Sequence, residues 1–462
     1  MISPAASLLA DLIRGLFEAL RKADLPFLVL RNYHDLPHAT TNDVDLLIPP
    51  ERLGEAESIL AQVAAKVGWV VHNRARFSPV SLFLHHPGTL QQIQIDYFIN
   101  LQWRGTDLLG VNEVFQAAGS CNGFPVPHPA HEALLNLTGR LLPYGRVREK
   151  YREGIAEAAL EQGEELEASL AGLFGVARAH RIVAHCREAD WKAIEAMAGD
   201  LRRALIVSRP LRVLAGWVAM ACRLAVRFLR PPGLWVVFLG PDGSGKSTCL
   251  TTCEEGLANS FNPGKNLHIH WKPVPFRRPR RGAAAPNLEP HGQAPRPGPV
   301  ALAYLVGHAV QFILGHWTVV KPALFRNGMV FFDRHYLDFL VDPRRYRLSV
   351  PRGVIRWLGR WLPQPDLILV LDAPSGVLLA RKSEVSSDEC LRQVEAYRSL
   401  AGEFTQARLL DATRPPAQVG AAAVREVLAH LARRTARRHP WLGAPGGLPG
   451  QRDAEAPSTL VP

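Results

Sequence analysis

The sequence predicts an α/β protein, with a parallel-sheet domain in the second half preceded by an α+β domain and a helical region. Three observations carry that prediction. Continuous apolar runs of strand length, Leu234–Leu239, Met329–Phe332 and Leu367–Leu371, with a weaker one at Arg408–Leu410, alternate with helical stretches. A parallel sheet buried on both faces requires such runs. Near the N-terminus the strands instead alternate polar and apolar residues, most clearly around Ile93, Ile95 and Tyr97. Between these parts, from about His128 to Leu229, the pattern is nearly all helical.

The elements follow in order. Leu8, Leu9, Leu12, Ile13, Leu16, Phe17 and Leu20 fall on one helical face, and Pro26 ends that helix. Phe27–Leu30 and Val44–Ile48 read as buried strands. Glu51–Val67 is a helix with Pro50 just ahead of it. Trp69–His72, Val80–His85 and Gln91–Phe98 read as strands joined by short loops. Leu229-Arg230-Pro231-Pro232-Gly233 stops the last helix of the middle region and marks a boundary. At 462 residues, two or three domains are expected. We place them at 1–127, 128–230 and 231–438, with a Pro/Gly-rich, disordered tail over 439–462. The Pro/Arg/Gly-rich stretch Pro273–Pro299 is not expected to form regular structure.

Composition is that of a soluble globular protein, 47% hydrophobic and 21% charged, and excludes wholesale disorder. A net charge of +12 fits a phosphate-rich partner: a nucleotide, a polyanion or an anionic membrane surface. No nucleic acid partner is expected. The clusters Arg277–Arg281 and Arg433–Arg438 read more as solvated charge than as specific sites. Six scattered cysteines without a CxxC pair or zinc spacing point to reduced thiols and a cytoplasmic location. The start of the chain does not read as a signal peptide.

Gly240–Thr248, GPDGSGKST, matches GxxxxGK[ST]. Gly240, Gly243, Ser244, Gly245, Lys246, Ser247 and Thr248 would wrap a polyphosphate with backbone N–H groups. Lys246 would reach the terminal phosphates, and Ser247 would ligate Mg²⁺. A buried strand before the loop and a helix from Lys246 supply the required context. Asp242 sits among amides that attract phosphate. Its carboxylate belongs on the acceptor side, where it would orient or deprotonate a hydroxyl, unless it only caps the loop. Asp333-Arg334 ends a buried strand, where ligands of a doubly wound sheet bind. Asp333 is placed to hold a Mg²⁺-bound water, and Arg334 to clamp an anion. Asp372 ends the next strand, either near the same cleft or as a structural cap.

GPDGSGKST with Asp242, the Asp333-Arg334 pair, the Leu371–Pro374 segment LDAP and Arg381-Lys382 resemble the thymidylate kinase family of P-loop kinases, over roughly Leu234 to Arg433. The resemblance implies ATP and Mg²⁺ at Lys246 and Ser247, with Asp242 and Arg334 facing the acceptor. It also implies a lid from Arg381 to about Arg392, Arg381 neutralising the γ-phosphate, and Asp411–Pro415 near adenine. After Arg334 this chain departs from the family's Ser and Tyr-Gln. It runs His335-Tyr336-Leu337-Asp338-Phe339, then Val341-Asp342-Pro343-Arg344-Arg345-Tyr346. The acceptor therefore stays open: a nucleotide, another anionic small molecule or a glycan intermediate. Arg344, Arg345 and Arg347 are candidates to bind it, as are Arg277–Arg281.

In the N-terminal part, Asp43 and Asp45 lie on one face of a strand, and Asp96 lies in another. Three converging carboxylates suit a two-metal nucleotidyl-transfer site. The constellation resembles the DNA polymerase β-like nucleotidyltransferases over about Leu8–Leu142, which implies that Asp43, Asp45 and Asp96 bind metal. That family carries a Gly-Ser pair ahead of its carboxylates. Here the stretch is Leu30-Arg31-Asn32-Tyr33, and Arg31 is the electrostatic substitute. A competent transferase and a substrate-binding module both stay open.

Two segments have membrane-like composition. In Leu302–Val320, the i+4 series Tyr304, His308, Phe312 and His316 fits a buried helix of the second domain. Leu205–Leu229, with Arg209, Arg212, Arg223 and Arg227, reads as an inter-domain helix or as a basic amphipathic helix making peripheral membrane contact. A non-catalytic nucleotide-binding role and a homodimer both remain open.

Overall fold

Leu12, Ile13, Leu16, Phe17 and Leu20 are almost fully buried, so the apolar stripe of α1 (Pro4–Lys22) faces a core. The computed structural model describes residues 4–38, 43–77, 79–273, 294–382 and 386–443. They fall into two units, Met1–Val226 with Ala432–Pro462, and Arg227–Leu431. The cluster Arg277–Arg281 lies outside the described residues.

In the first unit, β1 (Leu28–Val29), β2 (Asp43–Leu47), β3 (Val70–Arg76), β4 (Val80–His85) and β5 (Gln92–Phe98) form a sheet ordered β1-β2-β5-β4-β3. The β2–β5 pair is parallel, because α2 (Leu53–Lys66), β3 and β4 return the chain between them. Its register sets Asp45 opposite Asp96 and Asp43 opposite Gln94. α1 and α2 pack with the sheet residues Val44, Leu46, Leu82 and Ile95 in one core.

Two small hairpins, β6 (Leu101–Trp103) with β7 (Thr106–Leu109) and β8 (Gly119–Cys121) with β9 (Phe124–Val126), flank α3 (Val111–Gln116). They are too short to leave a periodic signal in the sequence. The helices α4 (Pro129–Tyr144), α5 (Glu149–Glu161), α6 (Gly163–Phe174), α7 (Val176–Arg187), α8 (Trp191–Ala196), α9 (Ala198–Ser208) and α10 (Pro210–Leu229) follow. Leu134, Leu137, Leu141, Leu166 and Ile182 of this bundle share a second core with Leu28, Leu30 and Leu47. The segments 1–127 and 128–230 therefore form one unit where the sequence suggested two. The reason is that the helices' apolar stripes are satisfied on the sheet.

The chain end also departs from the expected tail. Leu442 is buried in the α1–α2 core, and Trp441 Nε1 donates to Glu57 Oε2 at 2.8 Å. Residues 444–462 lie outside the described set.

The second unit contains a five-stranded parallel sheet, ordered β11-β12-β10-β13-β14. Its strands are β10 (Leu234–Leu239), β11 (Leu267–Ile269), β12 (Met329–Phe332), β13 (Leu367–Asp372) and β14 (Ala407–Asp411). The helices are α11 (Lys246–Gly256), α12 (Gly298–Gly315), α13 (Lys321–Phe325), α14 (Asp338–Val341), α15 (Arg352–Gly359), α16 (Ser375–Arg381), α17 (Ser387–Glu403) and α18 (Pro416–Arg438). From Ala432 onward, α18 belongs to the first unit. The edge strand β11 went unread because His268 interrupts a run of only three residues. Of Pro273–Pro299, residues 274–293 lie outside the described set, and Gly298 and Pro299 already open α12.

Candidate functional site

β10 is the central strand, buried along its whole length between β12 and β13. The carboxyl ends of these three neighbours deliver Gly240, Asp333 and Asp372 to one edge of the sheet. That is the edge at which parallel α/β sheets bind ligands.

The loop after β10 is built on glycine. Gly240, Gly243 and Gly245 have φ of 146°, 84° and 87°, and Gly245 directly precedes α11. At Gly240 a Cβ would stand 2.7 Å from the Leu371 carbonyl oxygen and 2.9 Å from Ser244 Oγ, so no side chain fits. Lys246 Nζ donates to the Gly240 and Pro241 carbonyls, both at 2.9 Å, and lies 3.7 Å from Asp242 Oδ1. The ammonium thus rests over the loop that its sequence pattern assigns to a polyphosphate. Burial lowers its pKa, and Asp242 opposes that shift. Gly243 borders Lys382, whose Cβ lies 3.2 Å from where a Gly243 Cβ would be.

Asp242 is held by two arginines. Arg334 Nη2 donates to Oδ1 at 2.8 Å, and Arg345 Nη1 donates to Oδ2 at 2.5 Å. Burial alone would raise this carboxyl's pKa. Lys246, Arg334 and Arg345 together outweigh that effect and hold it well below the usual carboxylate range. The same cleft is lined by Asp338, Asp342, Gln393 and Tyr397. Tyr397 Oη donates to Asp338 Oδ1 at 2.6 Å, and Gln393 Nε2 donates to Asp342 Oδ2 at 3.1 Å. Tyr346, also in the lining, stacks on Trp271 at 4.8 Å. The residues that depart from the family pattern after Arg334 therefore build this wall. Of Arg344, Arg345 and Arg347, Arg345 is the one that reaches Asp242. Arg347 donates to the Ala294 carbonyl, and Arg344 is exposed.

Asp333 Oδ2 accepts from Ser247 Oγ at 3.4 Å and lies 3.0 Å from His270 Nδ1. Its Oδ1 is buried without a hydrogen-bond partner among the described residues. An orphaned carboxylate oxygen beside a hydroxyl suits a hard, oxygen-binding cation such as Mg²⁺. Arg381 Nη1 instead donates to the Ala412 carbonyl at 2.9 Å, within the Asp411–Pro415 segment. The neighbouring Lys382, not Arg381, is the residue that borders the loop, at Gly243. Residues 383–385 of the expected lid lie outside the described set; the rest, to Arg392, opens α17. Asp372 Oδ1 accepts from Arg398 Nε at 2.8 Å, and its carbonyl accepts from Ala412 N.

In the first unit, Asp43, Asp45 and Asp96 each offer an oxygen within 4.8 Å of the others. Asp45 and Asp96 are nearly inaccessible to solvent. Burial, followed by the repulsion of Asp45 and Asp43, pushes Asp96 up to about 6 despite its hydrogen bonds. Burial and Asp45 likewise raise Asp43. Three such carboxylates in close contact fit a divalent cation. Arg31 does not lie free for a triphosphate. Its guanidinium forks onto Asp45, Nε to Oδ2 at 2.5 Å and Nη2 to Oδ1 at 3.1 Å. Tyr33 Oη donates to Glu132 Oε2 at 2.6 Å, adding a carboxylate near this site that the sequence did not suggest.

No protein-family model matches this chain. No curated protein sequence matches it. Among solved structures, a similar chain is the thymidylate kinase from Ehrlichia chaffeensis, at 15% identity and a TM-score of 0.29. The match covers 42% of this chain and 97% of that one.

Proposed function

We propose that the second unit transfers the γ-phosphoryl group of ATP, with Mg²⁺, to a small anionic acceptor. The observation that carries this reading is the placement of Lys246, Asp242 and Asp333 around one glycine-built loop at the carboxyl edge of a parallel sheet. Gly240, Gly243 and Gly245 bring backbone N–H groups to the phosphates, and Lys246 exchanges its loop carbonyls for phosphate oxygens. Ser247 and Asp333 would hold Mg²⁺, which neutralises charge on the transferring group.

On the acceptor side, Arg334 and Arg345 present two planar forks to an anionic substituent. A carboxylate held as low as Asp242 is a weak base. Its role is to accept a hydrogen bond from the acceptor hydroxyl and aim it, with proton release late in the reaction. A nucleoside monophosphate and an anionic sugar or glycan intermediate both fit this charge pattern. Incubation with γ-labelled ATP against nucleoside monophosphates, sugars and glycan intermediates tests the reading. Label should appear in one acceptor and vanish in Lys246→Ala. Parental ATP turnover by Lys246→Ala would sink it, and ATP binding without any accelerating acceptor would favour a regulatory nucleotide-binding role.

For the first unit we propose a divalent-cation site at Asp43, Asp45 and Asp96, serving nucleotidyl transfer. The support is their shared strand pair and the hard, all-oxygen donor set. Arg31 occupies Asp45, so cation binding and release of this ion pair are coupled. We place both activities in the cytoplasm, where ATP is supplied.

A further inference from the structure

The helical rod Gly298–Phe325, comprising α12, a π turn at His316–Val320 and α13, has a solvent face unlike that of a surface helix. Val300, Leu302, Val306, Val310, Leu314 and Trp317 are all exposed, the first at 52% and the last at 53%. They follow one another around a single side of the rod, with Ala303, Gly307, Gln311 and Thr318 between them. A helix on the surface of a soluble domain normally turns charged residues outward. This one turns none outward over its length from Gly298 to Val320.

The rod is apolar and long enough to cross a bilayer, but the expectation of a buried helix holds for its other side. Ala301, Leu305, His308, Ala309 and Phe312 lie in the core of the second unit with Val330 and Phe332. A helix with one face in a protein core cannot also be ringed by lipid. Its exposed face is available to another surface.

Charge selects that surface. Residues 294–332 contain no Asp or Glu, and neither do residues 343–365; of the six arginines in the second segment, Arg345 is held by Asp242 and Arg356 by Glu403, while Arg344, Arg352 and Arg360 are exposed. The second segment includes α15, which packs against α12; Arg352 and Trp357 on it, and Arg360 and Trp361 just after it, are exposed. At the far end of the rod, Lys321 Nζ lies 5.5 Å from the Phe228 ring and 5.8 Å from Trp317, and the two rings stack at 6.1 Å. Apolar side chains flanked by tryptophan and by Arg or Lys match the layered chemistry of an anionic bilayer: acyl chains, interface and headgroups. In the first unit, α10 repeats the composition. It exposes Leu211, Leu214, Trp217 and Val218, and residues 201–241 contain no acid.

We propose that the outward face of α12, with α15 and Lys321 beside it, seats the second unit on an anionic lipid bilayer without spanning it. Co-sedimentation of the full chain with vesicles of phosphatidylcholine alone, or with about one-third phosphatidylglycerol, tests this. Binding should require the anionic lipid and weaken at high salt. A Val306→Asp/Val310→Asp/Leu314→Asp variant should lose affinity by on the order of a hundredfold. Its thermal transition and ATP binding should be retained, since these side chains already face water. Lys321→Gln/Arg352→Gln/Arg360→Gln, which leaves the apolar face intact, should lower affinity for the anionic vesicles alone. The proposal is overturned if the parent chain stays in the supernatant with anionic vesicles. It also fails if the aspartate variant binds them undiminished. A parent that is dimeric by light scattering, ignores vesicles and becomes monomeric in the aspartate variant would assign the face to a second copy of the chain.

Discussion

Arg345 Nη1 meets Asp242 Oδ2 at 2.5 Å across 103 residues of sequence, closing a cleft whose other arginine, Arg334, takes the opposite oxygen. That fork fixes which way the Asp242 carboxylate faces, and it sets the first expectation. Asp242→Asn should keep ATP binding and lower kcat by about 10²-fold, and Arg345→Ala should chiefly raise KM for the acceptor. Steady-state kinetics against the acceptor found by the labelled-ATP screen separates the two. Because its folded pKa is depressed, Asp242 remains ionised throughout the neutral and mildly acidic range. The acidic limb of the kcat/KM profile should therefore lie below about pH 5, and Arg345→Gln, which removes one of the cations that lower Asp242, should move it upward. A limb that stays in place in Arg345→Gln would contradict the assigned pairing.

Lys246 donates to two loop carbonyls and lies beside Asp242, contacts that the proposed reaction has it exchange for phosphate. Lys246→Ala should lower turnover by about 10²–10³-fold with little change in the melting temperature. A large loss of stability would mean that the lysine is a structural clamp.

In the first unit, Arg31 competes with any cation for Asp45. Arg31→Ala should tighten Mn²⁺ binding by about tenfold, and Asp96→Asn should weaken it by at least as much. Calorimetric titration measures both. Weaker binding in Arg31→Ala would show that the arginine organises the site.

His72 and His85 face each other inside the first unit, Nδ1 to Nδ1 at 3.2 Å, on neighbouring strands. Burial lowers both; His86 adds to this at His85, and His85 and Arg434 add at His72. His85 falls from 6.5 to about 4. An unfolded chain takes up protons near 6.5 that the folded pair refuses. The neutral pair's contribution to stability is thus complete above 6.5 and is lost as pH falls from there toward 4. Denaturation midpoints of the first unit should drop across that window, and His85→Gln should flatten the dependence.

Glu57, almost wholly buried, accepts from Arg74 Nε at 2.8 Å and from Trp441 Nε1 at 2.8 Å. Trp441→Phe should destabilise the first unit by about 1–3 kcal/mol, because it removes one partner of a buried carboxylate. Urea denaturation checks this, and an unchanged midpoint would mean the chain end contributes nothing to the fold.

Every strand of the second unit's sheet except β11 was legible in the sequence, as were the loop from Gly240 to Thr248 and the three acidic positions Asp43, Asp45 and Asp96. Each is a local pattern: a run long enough to be buried on both faces, glycines spaced for positive φ, or carboxylates two residues apart on one pleat. Only the tertiary structure joined the helices after His128 to the first sheet and returned Trp441 and Leu442 to it. It also set Arg31 on Asp45, brought Arg345 to Asp242 and turned Arg381 toward Ala412. It left one apolar face of α12 uncovered. The physical reason is common to all of these. Burial and ion pairing are satisfied by whatever the fold brings near, and a chain's local periodicity records that a face must be covered without recording by what.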